Sequence, residues 1–170
     1  MQHPEADPDT AIRVAALLRR RGDLGPACSL VQRLVEIGRG WNNDTRLEPL
    51  LGDAALAYRQ SGMLSAAKAL LLEQQQMVIL RGDRRSLAAC LGNLGVVLRD
   101  LGLTEDAIRT HREEEKICDE IKDSVGSAKS RVNQAALSLM DGEVKACETL
   151  LNDAEGDLAR VGDGLGEAVL

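Results

Sequence analysis

Ser86-Leu-Ala-Ala-Cys-Leu-Gly-Asn-Leu-Gly-Val-Val-Leu-Arg-Asp-Leu101 is followed by Gly102-Leu-Thr-Glu-Asp-Ala-Ile108. In the first stretch Leu91, Leu94, Gly95 and Leu98 fall at i, i+3, i+4 and i+7, one face of a helix. Gly102 comes where the chain must reverse, because glycine accepts the positive φ of a helix C-terminus. Thr104 ahead of Glu105 and Asp106 reads as an N-cap with acids in the first turn of a second helix. That helix is expected to run to about Lys122, with Ala107, Ile108, Ile117, Cys118 and Ile121 as its apolar contacts.

The hairpin is one of four. Glycine recurs at 22, 62, 102 and 142, and a small-residue ladder of Ala27, Ala67, Ala107 and Cys147 keeps step with it. A strict period of this length marks helix–turn–helix units that stack on one another. Ala15, Ala55, Gly95 and Ala135 are set to face the second ladder. Only small side chains let the two helices of a hairpin approach closely. The second unit keeps the plan, with Ser65 as its cap. Pro26 and Pro49 are each expected in a first helical turn, where proline is tolerated. The predicted fold is all-α, a right-handed α-solenoid of about four repeats.

The repeats are read at residues 9–43, 44–83, 84–123 and 124–163, after a disordered tail at 1–8. The junctions Arg81-Gly-Asp83, Ile121-Lys-Asp123 and Val161-Gly-Asp163 resemble one another. Residues 164–170 read as the start of a further helix, cut short, or as a short cap. The fourth repeat is less regular. Strict periodicity would turn Arg131, Gln134 and Ser138 inward, whereas a one-residue shift would bury Val132, Ala135, Ala136 and Leu139. The shift is preferred because an unpaired buried arginine is costly. In its second helix Cys147, Leu150, Leu151, Ala154, Leu158 and Val161 are the expected contacts.

Composition narrows the function. The 170 residues carry a net charge of −6, and Trp41 and Tyr58 are their only aromatics. An acidic chain nearly without aromatics lacks both the basic face and the stacking platforms of a nucleic-acid binder. No apolar run approaches a membrane span, and Met1–Thr10 lacks the pattern of a signal peptide, so the expected location is the cytosol. Cys28, Cys90, Cys118 and Cys147 are spaced too widely for a zinc site and read as small buried hydrophobes. His111 has no nucleophile and orienting acid placed for it. The chain shows no phosphate loop, paired-carboxylate site or metal cluster, so it reads as a non-enzyme without a cofactor. Glu113, Glu114 and Glu115 read as a solvated outer face.

The units resemble tetratricopeptide repeats, whose usual unit of about 34 residues carries W-x₂-L-G-x₂-Y and then an alanine. Leu94-Gly95-Val-Val-Leu98 stands for L-G-x₂-Y and Ala107 for the alanine; in the second unit Leu51, Ala54, Ala55, Tyr58 and Ala67 fill these places. Leu91 replaces the tryptophan, His111 replaces a phenylalanine, and the closing proline is missing. The longer unit is similar to the repeats of kinesin light chain and of large bacterial signalling proteins. The resemblance implies a protein-interaction scaffold that binds a peptide or protein segment in a concave groove.

The groove-lining positions are those opposite the packed face of each first helix: Ala89, Gly92, Asn93, Val96, Arg99 and Asp100 in the third unit. Steps of forty give Arg19, Arg59 and Arg99; Arg13, Asp53 and Asn93 with Asn133 or Gln134; and Arg20, Gln60 and Asp100. The resemblance to kinesin light chain suggests that Asn93 holds peptide main chain, a task suited to an amide with donors and an acceptor. The arginines would select acidic groups by bidentate pairing, or else form a solvated helix face. Trp41, if exposed, would anchor a partner. Two alternatives stand beside the scaffold: a regulatory segment of a larger signalling NTPase or protease, and self-association into a homo-oligomer through the repeat ends.

Overall fold

The computed structural model describes residues 8–40 and 44–167, with side chains from 10–40 and 45–159. The expected tail at 1–8 lies almost wholly outside these residues, and Trp41 lies outside them too. The chain divides into two compact units, residues 1–80 and 81–170. In the first, α1 (Pro8–Arg21) packs on α2 (Leu24–Gly38) and α2 on α3 (Asp44–Gln60), while α1 and α3 also touch. α4 (Leu64–Arg81) follows, tied to α3 where Gln74 Nε2 donates to the buried Glu48 Oε1 at 2.6 Å. In the second, α6 (Thr104–Glu120) packs on both α5 (Arg84–Asp100) and α7 (Ser124–Met140), and α8 (Val144–Glu167) packs on α7. The described fold is all-α.

The first helices end at Arg21, Gln60, Asp100 and Met140. Each is closed by glycine at 22, 62, 102 or 142 with φ between 74° and 84°. At Gly102 the closure is a Schellman turn: Gly102 N–H donates to Arg99 O, and Leu103 N–H to Leu98 O, both at 2.9 Å. Second helices then start at Leu24, Leu64, Thr104 and Val144, forty residues apart. Ala15, Ala55, Ala135, Ala27, Ala67, Ala107 and Cys147 are all buried, as is Gly95. All four cysteines are buried thiols. Burial pushes the Cys118 thiol up to about 11, and the charges of Glu114, Asp123 and Asp119 add to the effect.

Several local expectations change. Thr104 and Ser65 lie inside the first turns of α6 and α4, and Leu103 precedes α6 without a side-chain cap. The side-chain caps sit on the first helices instead. Asp83 Oδ1 accepts from Ser86 N–H at 3.0 Å, and Asp123 Oδ1 accepts from Gly126 N–H at 2.9 Å. Pro49 lies inside α3, because that helix begins at Asp44. α8 is continuous to Glu167, so residues 164–167 extend it and open no further helix.

The fourth repeat keeps the strict register. Gln134 and Leu137 are buried, whereas Val132, Ala136 and Leu139 are exposed. The cost that argued for a shift does not arise, because Arg131 is paired. Its side chain is 15% exposed, with Nε 2.8 Å from Glu115 Oε1, an Nη1 contact to Asp157, and Nη2 3.8 Å from Asp119. The acidic run of α6 is correspondingly not a solvated face: only Glu113 is exposed. Glu114 is buried and bonded to His111, with Nδ1 2.8 Å from Oε2.

Candidate binding face

In the first unit the structure brings Arg19 and Asp53 together. Both line a small cleft between α1 and α3, floored by Ala15, Val31, Leu50 and Ala57. Partial burial raises the Asp53 carboxyl above its usual range, and the charge of Arg19 opposes the rise. Arg13 and Gln60 are exposed and Arg59 is half-buried. The arginine ladder has a structural reason that the sequence reading missed. Arg19, Arg59 and Arg99 each stand in the last turn of a first helix. A cation there complements the partial negative charge of the helix C-terminus.

In the second unit Arg99 turns toward its neighbour. Its Nε and Nη2 lie 3.3 and 3.1 Å from Asp100 Oδ1. Asn93 on α5 and Asn133 on α7 are half-buried at the surface. Neither amide has a side-chain hydrogen bond among the described residues. Gln134, the other expectation at that step, is buried and donates to Glu115 Oε2 at 2.6 Å, so it is no surface ligand. Gly92 also leaves the candidate face: a Cβ there would stand 2.4 Å from Glu114 Oε1. Gly52 meets Gln74 in the same way, at 3.0 Å from Nε2. Glycine at both 52 and 92 was the available signal that a polar side chain occupies this place.

α7 adds residues that were not expected at the surface. In the strict register Leu139 and Met140 take the places of Arg99 and Asp100, and they are 57% and 68% exposed. Val125 and Val132 are exposed on the same helix. Val125, Val132, Ala136 and Leu139 follow i, i+7, i+11 and i+14, one stripe of α7, with Met140 beside its end. Lys129 lies within the stripe. The exposed side of this unit therefore changes from amide and ion pair on α5 to apolar surface on α7.

No protein-family model matches the sequence, and no curated protein matches it. Solved structures do. BtubC (BKLC) from P. vanneervenii superposes with a TM-score of 0.81 at 16% identity, over 95% of this chain and 68% of that one. The Podosopora anserina kinesin light chain with nearly identical TPR-like repeats gives 0.78 at 18%, over 94% and 78%. Aspartyl phosphate phosphatase F from Bacillus subtilis gives 0.81 at 11%, over 92% of this chain and 41% of that one. At these identities the likeness is one of fold. The chain has the TPR-like helical-repeat fold.

Proposed function

We propose that the chain is a protein-interaction module that holds a segment of another protein along the exposed side of α5 and α7. The observation that carries this reading is the pairing of surface amides, Asn93 and Asn133, with the apolar stripe ending in Leu139 and Met140. Amides with spare donors and acceptors suit an extended main chain, and exposed large apolar groups suit the partner's side chains. A ligand carboxylate would have to displace Asp100 from Arg99, so Arg99 is not a ready selector of acidic groups. The buried histidine, His111, is held by Glu114 beneath Gly95, and the described residues form no metal-holding cluster of His, Cys, Asp and Glu. No described helix is long and apolar enough to cross a membrane. Four buried thiols accord with the reducing cytosol as its place of work.

A peptide array probed with the whole chain tests the reading. Removing both amides (N93A with N133A) should weaken the best-bound peptides roughly tenfold, at about 0.5–1.5 kcal/mol per lost hydrogen bond. Unchanged binding by this variant and by L139D would place the ligand elsewhere.

A further inference from the structure

Two helix faces that the fold covers elsewhere stand open on α1 and α8. Positions 31, 71 and 111 are buried as Val31, Leu71 and His111; the next step, Leu151, is exposed. Positions 38, 78 and 118 are buried as Gly38, Val78 and Cys118; the next, Leu158, is 49% exposed. α7 covers α6 at Cys118, whose Sγ lies 2.6 Å from where a Cβ on Gly126 would stand, while His111 lies under Gly95 of α5; Val31 lines a cleft with residues of both α1 and α3. α1 shows the converse. Ala54, Leu94 and Gln134 are buried, whereas Val14, at the matching step, is exposed; Ala57, Val97 and Leu137 are buried, whereas Leu17 is 58% exposed. The open face of α8 is thus of the kind that receives a first helix, and the open face of α1 is of the kind a first helix inserts.

The charges are opposite as well. On α8, Glu148 and Glu155 alternate with Val144, Leu151 and Leu158 at i, i+4, i+7, i+11 and i+14, all exposed. α1 carries exposed Arg13, Arg20 and Arg21 beside Val14 and Leu17. From these two matched faces we infer that copies of this chain join head to tail, α8 of one receiving α1 of the next. The contact is heterologous, so it propagates into rings or open chains and does not stop at a symmetric dimer. Opposed surface charges are screened by salt, so the association weakens as ionic strength rises. It uses neither α5 nor the exposed stripe of α7, and so stands apart from peptide binding.

Sedimentation equilibrium of the whole chain over a rising concentration series is the test. The weight-average mass should climb past that of a dimer and fall back in high salt. L17D closes the α1 face and L158R closes the α8 face; both sites are exposed, so folding is preserved. Each variant alone should remain monomeric. An equimolar mixture should form a one-to-one dimer and nothing larger, because one open face of each kind remains. A monomeric wild type at every concentration overturns the inference. So does association that survives in either variant alone, and so does a mixture that fails to pair while the wild type associates.

Discussion

Gly95 leaves the place of its side chain to the imidazole of His111: a Cβ at position 95 would stand 2.5 Å from Nε2 and 2.6 Å from Cε1. The other repeats pair alanine at this step with valine or leucine, so the larger ring is matched by the smaller partner. His111 is 1% exposed and bonded to Glu114, so it has little freedom to retreat. Gly95→Ala should therefore destabilise the chain by about 1–3 kcal/mol through overpacking, despite alanine's better helix propensity. Urea melts of G95A, H111V and the double variant check this. The double should cost less than the sum of the singles, since removing the ring relieves the clash.

Arg131 sits between acids from two neighbouring helices, Glu115 on α6 and Asp157 on α8. Arg131→Leu takes the guanidinium away from both Glu115 and Asp157, whose side chains are 21% and 8% exposed. Breaking a buried pair from one side costs about 3–5 kcal/mol. The partial exposure of the arginine sets the lower end as the expectation. The positions matching 131 and 157 in the third repeat are Leu91 and Ile117. R131L/D157I should therefore be more stable than R131L alone, which denaturant titration of both variants will show.

The Asp83 cap makes stability depend on pH. Hydrogen bonds from the Ser86 N–H and hydroxyl hold its carboxyl below the usual range, and Arg81 adds to them. A depressed folded value means that the contribution is present above the unfolded value of about 3.9 and is lost as pH falls through the folded one. Asp83→Ala should cost about 1 kcal/mol near neutrality. The gap between the variant and the wild type should close as the pH falls below the usual carboxylate range and through the lowered folded value. Asn, which caps without charge, should keep most of the stability at both ends of the series.

What the sequence disclosed and what it hid follow from locality. Glycine at 22, 62, 102 and 142 announces the turns because positive φ is a property of one residue and its neighbours. The small ladders announce close helix packing for the same reason. Arg131 was misread because its partners lie 16 and 26 positions away on other helices. A charge looks unpaired until those helices are placed. Glu114 was lost in an acidic run, although Gly92, on the facing helix, marks the space it fills. The face bearing Asn93 was legible from helical phase. The apolar end of α7 was not, because the same mistaken register turned Leu139 inward.

Lys122 does a glycine's work. Its φ is 57°, and it closes α6 with the bonds Lys122 N–H to Asp119 O and Asp123 N–H to Cys118 O. Gly82 holds the matching place after α4 with φ 70°. A side chain in the left-handed region costs roughly 1–2 kcal/mol, and glycine returns part of that through its looser unfolded chain. Lys122→Gly should stabilise the protein by up to about 1 kcal/mol, read as a rise in the melting temperature. A fall would mean that the lysine side chain makes a contribution larger than the strain it carries.

The stripe on α7 offers a test of ligand chemistry that leaves the fold alone. Leu139 and Met140 occupy the places of Arg99 and Asp100 one repeat earlier, and both are largely exposed. L139R/M140D would carry the ion pair of the third repeat into the fourth. Surface changes of this kind usually move stability by less than about 0.5 kcal/mol, so the melting curve should hardly shift. If the apolar stripe receives partner side chains, peptides chosen for binding the wild type should weaken by about tenfold or more, since burying one large apolar side chain is worth roughly 1.5–3 kcal/mol. Peptides in which the apolar residues are replaced by acids should lose their disadvantage on the variant. A uniform loss across both peptide classes would point to the amides of Asn93 and Asn133 as the main source of affinity. Unaltered binding of both classes would remove α7 from the interface.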